Sequence, residues 1–231
     1  MTLAQMKHFG IEAKVDWENG EIDIAHQTYK SIPFAVESDW SGASYWYSMV
    51  AISPFEDTSL ELLGLKENSL QGDSEIKSIM ELLGVKSTFT GRGYRLTKCP
   101  SEESAAWDFT DCPDLAQTIC VVAAAKNITF TLTGIESLKV KETDRVLALQ
   151  NELAKLVSQL MELEKNHLYQ LSGDFAGRDV CPEIETYDDH RMAMAFAPVG
   201  LLCELIIHEP GVVAKSYPSF WDHLNKILKS A

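Results

Sequence analysis

Pro113-Asp114-Leu115-Ala116-Gln117-Thr118-Ile119-Cys120-Val121-Val122-Ala123-Ala124-Ala125 decides the fold, because from Leu115 onward it is apolar on nearly every face. A helix of that kind is buried on all sides, whereas a surface helix carries one apolar stripe. Two other stretches share the property, 43–52 and 192–203. Each follows an aspartate, at Asp39, Asp114 and Asp189, and the two intervals, 39 to 114 and 114 to 189, are both 75 residues. Equal spacing predicts three copies of one unit.

Working outward, each apolar stretch is followed by a short strand-like run (60–63, 128–132, 205–207) and then by a striped helix. The stripes are Ile76, Ile79, Met80 and Leu83; Val146, Leu149, Leu153 and Leu156; and Phe220, Leu224, Ile227 and Leu228. These spacings place the apolar side chains on one helical face. A hairpin of 87–89 with 94–96 closes the first unit. The expected architecture is α/β (α+β): strand, buried helix, strand, surface helix and then usually a hairpin, in three units with the buried helices parallel. Aligned helix N-termini present unpaired N–H groups and partial positive charge, which suits an anion. The three aspartates have a plainer reading as N-caps.

Before the repeats, the spacing predicts a helix over 2–9 stopped by Gly10, then two alternating runs, 11–16 and 21–25, joined through Asn19-Gly20, a strong hairpin signal. So short a piece cannot bury enough surface to stand alone. It reads as the tail of something larger.

The chain has 231 residues, 45% hydrophobic and 9% aromatic, enough to bury a core. A formal charge of -14 argues against nucleic acid or an anionic membrane surface as partner, because phosphate backbones are held by clustered positive charge. No run of eighteen apolar residues and no signal-peptide order at the start point to a cytoplasmic protein. Cys99, Cys112, Cys120, Cys181 and Cys203 are odd in number and scattered, with no zinc-site spacing, and read as reduced thiols. A Cys-His nucleophile from Cys112 or Cys181 with His190 lacks an identifiable third group.

An anionic ligand must therefore find a local basic pocket. Two stretches at helix beginnings qualify: Lys139 to Arg145, where Lys141 and Glu142 stand four and three residues before Arg145, and Tyr187 to Met194, with His190 and Arg191. A helix starting at Lys141 would gather these groups on one face. The alternative is a solvated, salt-bridged turn worth about 0.3–0.5 kcal/mol. Arg191 opens a helix that must be buried, where a cation opposes the dipole unless an anion or the carboxylates of Asp188 and Asp189 offset it. Lys215 precedes Pro218 and the last striped helix, as Lys141 precedes the second.

The stretches VKETDR (140–145), DDHRMAMAF (188–196), AKSYPSFW (214–221), SDWSGASY (38–45), NSLQGD (68–73) and PDLAQT (113–118) resemble, in order and spacing, the signatures of 5-enolpyruvylshikimate-3-phosphate synthases. The resemblance implies an enolpyruvyl transferase-like fold of three βαβαββ-type repeats at 38–231, with 1–37 the terminal helix and hairpin of an otherwise missing first domain. It implies enolpyruvyl transfer from phosphoenolpyruvate to shikimate 3-phosphate, with no cofactor and no metal. Asp114 would accept the proton of the attacking hydroxyl, Lys141 would serve both substrates, and Glu142 would protonate the methylene carbon. Arg145, Arg191 and Lys215 would hold phosphoenolpyruvate, His190 would lie near Glu142, and Ser137 would contact shikimate, with a shorter side chain than the family's asparagine. Alone, the chain is expected to leave Arg145 and Arg191 facing water, to bind anions weakly and not to turn over. Self-association through the exposed interdomain face is a further expectation. Two rivals stand: a related transferase acting on a UDP-sugar, and a non-catalytic anion-binding or assembly module. The family commonly places glycine after the KETDR helix, where this chain has Lys155-Leu156-Val157; either the helix runs on or the hairpin after it changes.

Overall fold

The computed structural model describes residues 1–141, 143–177 and 181–230. The chain divides into two compact units, Met1–Ser38 and Asp39–Ala231.

In the first unit, α1 (Thr2–His8) ends at Phe9, and Gly10 turns the chain at φ 84°. Strands β1 (Lys14–Asp16) and β2 (Glu21–Asp23) pair antiparallel, with Gly20 at φ 68° in the connecting turn. Among large side chains here, Trp17, Tyr29 and Val36 are more than half exposed, at 76%, 59% and 86%.

The second unit opens with α2 (Trp40–Ile52), capped by Asp39, whose carboxylate accepts from the Ser41 and Gly42 N–H groups. Next come β3 (Ser59–Leu63), α3 (Ile76–Leu82), β4 (Val85–Phe89) and β5 (Gly93–Lys98); the three strands form an antiparallel sheet in the order β3-β5-β4. The next block is β6 (Ser104–Asp108), α4 (Ala116–Ala125), β7 (Thr129–Thr133), α5 (Arg145–Ala154), β8 (Ser158–Glu164) and β9 (Leu168–Gly173). Its sheet runs β6-β7-β9-β8, with β6 and β7 parallel and the other pairs antiparallel. The last block is β10 (Glu183–Ile184), α6 (His190–Phe196), β11 (Ile206–Ile207) and α7 (Phe220–Ser230), with β10 and β11 parallel.

Among the described residues, only the middle block carries all six elements of the repeat. Among the described residues the first has no opening strand and the third no closing hairpin. The buried helices do occupy the centre: α2, α4 and α6 pack on one another, and Ala116 to Ala124 of α4 are all 1% exposed or less. Burying each large apolar side chain contributes about 1.5–3 kcal/mol, and the buried side chains of these helices belong to one core shared with the sheets and surface helices. The third buried helix is α-helical only to Phe196, and Pro198, which lacks an N–H, continues it as a 3-10 turn, 197–201.

After α5 the helix does not run on. It ends at Ala154, and Val157 takes φ 53°, the left-handed turn that glycine adopts without strain. A β-branched residue there is strained, and Val157 is 57% exposed, so little packing compensates. Val157→Gly is expected to stabilise the chain by about 1 kcal/mol, allowing for glycine's greater unfolded-state entropy. The midpoint of urea unfolding checks this, and an unchanged or lower midpoint would show the strain to be absorbed elsewhere.

Candidate functional site

The site grows from the cap of α6. Asp189 is fully buried, at 0% exposure; its Oδ1 accepts the Arg191 backbone N–H at 2.8 Å and its Oδ2 accepts Arg145 Nε at 2.7 Å. Arg145 is the first residue of α5, behind Asp144, whose side chain caps the helix through Leu147 N at 3.0 Å. Arg145 Nη1 then donates to Asp114 Oδ1 at 3.1 Å, and Arg191 Nη2 donates to Asp114 Oδ2 at 2.7 Å. One carboxylate thus takes a guanidinium on each oxygen. The three aspartates do not share a role: Asp39 and Asp189 cap helices, while Asp114 lies in a 3-10 turn, 113–115, and pairs with the arginines.

Arg145 is 2% exposed and the Arg191 side chain 14%. This corrects the expectation that both would face open water: each is largely desolvated and offset by carboxylate, Arg145 by buried Asp189 and half-buried Asp114, Arg191 by Asp114. The expectation that Lys141 and Arg145 share a helical face also fails. Residues 136–140 form a 3-10 turn, Lys141 is extended at ψ -150°, and α5 begins only at Arg145, so the four-residue relation does not hold. Lys141 and Ser137 are exposed. Glu142 lies outside the described residues. Lys215 is placed by a pair of contacts to one residue, Nζ donating to the Asp188 carbonyl at 2.7 Å and pairing with Asp188 Oδ1 at 2.7 Å.

Beside Arg191 is a cavity of about 130 Å³ lined by Asp39, Ser41, Tyr45, His190, Arg191 and Tyr217, among others. His190 is largely buried, its Nδ1 3.9 Å from Asp189 Oδ1. Of the four cations singled out from the sequence, Arg191 lines this cavity. A larger cleft of about 700 Å³ is lined by Glu75, Asp108 and Asp111 with Trp107, a sign of charge that repels a polyanion. Among the described residues no group of three His, Cys, Asp or Glu side chains is arranged to hold a metal ion.

Three neighbours escaped the sequence reading as site residues. Ser41 Oγ donates to Asp73, and Gly72 sits so close to the loop before Asp114 that a Cβ there would lie 2.0 Å from the Asp111 carbonyl oxygen. Tyr45 is buried, which pushes its phenol up, with Arg191 pulling the other way. These positions lie within the stretches 38–45 and 68–73 that carry the family resemblance, but no residue type there singled them out as site residues.

Burial pushes the Asp73 carboxyl above the usual carboxylate range, against the opposing pulls of the Ser41 hydrogen bond and the Arg191 charge. Folded Asp73 holds its proton more tightly than the unfolded chain does. Its ionisation therefore costs stability at neutral pH, and the cost is relieved as pH falls through the folded pKa. Asp73→Asn is expected to melt higher than the parent at pH 7 and to converge with it below about pH 4. A melting series across that range decides; a pH-independent difference would assign the effect to packing.

The family model for EPSP synthase (3-phosphoshikimate 1-carboxyvinyltransferase) matches residues 1–224. A 3-phosphoshikimate 1-carboxyvinyltransferase of Bacteroides fragilis is 45% identical over 229 residues, covering 98% of this chain and 55% of that protein. Another, from Methanospirillum hungatei, is 33% identical over 237 residues, covering 100% of this chain and 53% of that one. The EPSP synthase from Acinetobacter baumannii has a similar fold, with TM-score 0.71 at 22% identity over 96% of this chain and 52% of the other. The enolpyruvyl transferase NikO from Streptomyces tendae has TM-score 0.62 at 9% identity, covering 96% of this chain and 51% of that chain. The chain spans about half the length of the curated relatives it matches. With the KETDR and DDHR stretches in place and the family model matched almost end to end, the chain belongs to the EPSP synthase family.

Proposed function

We propose that this chain carries the phosphoenolpyruvate side of an enolpyruvyl transferase whose other half is a separate amino-terminal domain. The reaction is transfer of the 1-carboxyvinyl group of phosphoenolpyruvate to the 5-hydroxyl of shikimate 3-phosphate. One observation carries the reading: two desolvated arginines from different helices converge on a single carboxylate, 3.1 and 2.7 Å away, beside a small cavity. An incoming phosphate or carboxylate competes with Asp114 for Arg191 and Arg145, and guanidinium forks suit either anion.

In the addition step Asp114 accepts the proton of the 5-hydroxyl as its oxygen bonds to C2 of phosphoenolpyruvate, while Glu142 gives a proton to the methylene carbon. In elimination the new methyl group returns a proton to Glu142 as the bond from C2 to the phosphate oxygen breaks, and phosphate leaves with the proton that Asp114 had taken, so the overall step consumes no cofactor. Arg145, Arg191 and Lys215 bind the phosphate and carboxylate, Lys141 serves both substrates, His190 orients Glu142, and Ser137 contacts the shikimate ring. For Glu142 to act as an acid its carboxyl must be desolvated, which requires the partner domain to close over it. The exposed apolar side chains of the first unit, Trp17 and Val36 among them, are assigned to the surface that the missing half covers, with self-association the alternative when it is absent. Five cysteines free of disulfides fit a cytoplasmic setting.

The test is a turnover assay with both substrates. The chain alone should give no product, and addition of a separately produced amino-terminal half of a close relative should restore activity. Product from the chain alone would refute the half-site assignment. A mixture that co-elutes as a complex yet stays inactive would favour the non-catalytic anion module.

A further inference from the structure

Arg145 binds the anion-site aspartates from the first turn of α5, and a second buried charge sits near the other end of the same helix. Seven residues on, Glu152 is 1% exposed, a carboxylate buried two helical turns, about 10 Å, from Arg145 on the same face of α5. Its oxygens are fully engaged. Tyr187 OH donates to Oε1 at 2.8 Å, while the Glu185 N–H at 3.0 Å and Lys155 Nζ at 2.7 Å donate to Oε2. Lys155 Nζ also donates to the Glu183 carbonyl at 2.7 Å, and Asn151 Nδ2 to Tyr187 OH at 3.4 Å. Asn151 and Glu152 in the last turns of α5, with Lys155 just past its end, therefore hold the segment 183–187 through their side chains.

The chain is strained where this segment ends. Tyr187 and Asp188 take φ 54° and 55°, consecutive left-handed residues neither of which is glycine. Such a pair persists only when its surroundings over-determine it. The turn delivers Asp189 to the head of α6, where its N–H bonds the Thr186 carbonyl at 2.8 Å and its carboxylate meets Arg191 N and Arg145 Nε. It also presents the Asp188 carbonyl and carboxylate to Lys215. Helix α5 thus grips the 185–189 stretch at two points, Glu152 before the strained turn and Arg145 after it.

We infer that Glu152 is a positioning residue for the anion site: by anchoring Tyr187 and Glu185 it keeps the left-handed turn in place and so sets the direction of Arg191 and Lys215. Glu152 touches neither Arg191 nor the cavity and acts through the turn. The inference rests on the reading of Arg145, Arg191 and Lys215 as anion ligands only for its functional consequence; the mechanical part stands apart from it.

The experiment uses the full chain and two readouts, amide hydrogen exchange and titration with phosphoenolpyruvate. In Glu152→Gln, which keeps the shape but turns an N–H group toward donors, the Asp189 and Arg191 amides should exchange at least tenfold faster, on the order of a local opening, while those of α4 stay protected. Phosphoenolpyruvate affinity should fall about fivefold, and Tyr187→Phe should give a smaller change of the same local kind. Unchanged exchange at Asp189 and Arg191 in a folded Glu152→Gln overturns the inference, and so does faster exchange spread equally through α4, which would make Glu152 a general stabiliser. If Glu152→Gln fails to fold, Tyr187→Phe decides by the same criterion. If the parent chain binds no phosphoenolpyruvate but exchange still quickens locally, the anchor stands and the substrate reading falls.

Discussion

Asp189→Ala is expected to lower the unfolding free energy by about 3–5 kcal/mol, the usual cost of removing one partner from a buried ion pair. Both oxygens of Asp189 are used at 0% exposure, one by Arg145 Nε and one by the Arg191 N–H, so alanine removes a counter-charge and a helix cap together. Arg145, 2% exposed, would keep Asp114 at 3.1 Å, which holds the loss to the lower part of that range. Urea unfolding measures it, with an unchanged slope required for the comparison. Asp189→Asn separates the two contributions, because the amide oxygen can still cap while the charge is gone. A midpoint within experimental error of the parent would mean that Asp114 alone neutralises Arg145, and the Arg145–Asp189 pair would lose its structural standing.

The second large effect concerns Asp114 in the reconstituted enzyme. Asp114→Asn should lower kcat by about 10²–10⁴, the range lost with a general base, while the affinity of the chain for phosphoenolpyruvate rises because two arginines lose a competing carboxylate. Opposite movement of turnover and binding is the distinguishing feature. A purely structural aspartate would lower both together through misplacement of Arg191. Steady-state kinetics alongside direct titration tells the cases apart, and an unaltered kcat would remove Asp114 from the proton transfer.

Much of the architecture was readable because burial has a signature that needs no partner to be seen. The segment Leu115 to Ala125 is apolar all round, so it had to lie at the centre, and the 75-residue spacing of Asp39, Asp114 and Asp189 announced its two companions. The amphipathic stripes placed α3, α5 and α7 outside for the same reason. Boundaries were less legible. Lys141 was expected on the first turn of α5, but the helix begins only at Arg145 behind Asp144, a choice made by a side chain that can accept Leu147 N–H only when the turn begins there. The end of α5 was left open by sequence, since Val157 gives no glycine signal, and the left-handed turn is imposed by the hairpin of β8 and β9 that must come next.

The candidate site divides along the same line. Arg145, Arg191, His190 and Lys215 stood out as basic groups concentrated in an acidic chain, and their residue types were enough to point to an anion. Their partners were not legible. Asp114 lies 31 residues from Arg145 and 77 from Arg191, and Glu152 lies 35 from Tyr187. Local pattern is blind to pairs so far apart.

Periodicity and composition by themselves settled that three enclosed helices form the centre, that striped helices cover them, and that any bound anion must depend on a few local cations. The fold alone decided that two of those cations share one aspartate, that they are largely withdrawn from solvent, and that a pair of left-handed residues, Tyr187 and Asp188, leads into the helix that carries Arg191. The reason is one of range: hydrophobic pattern is written into neighbouring residues, while the matching of buried charges depends on which distant segments the packed helices bring within about three ångströms.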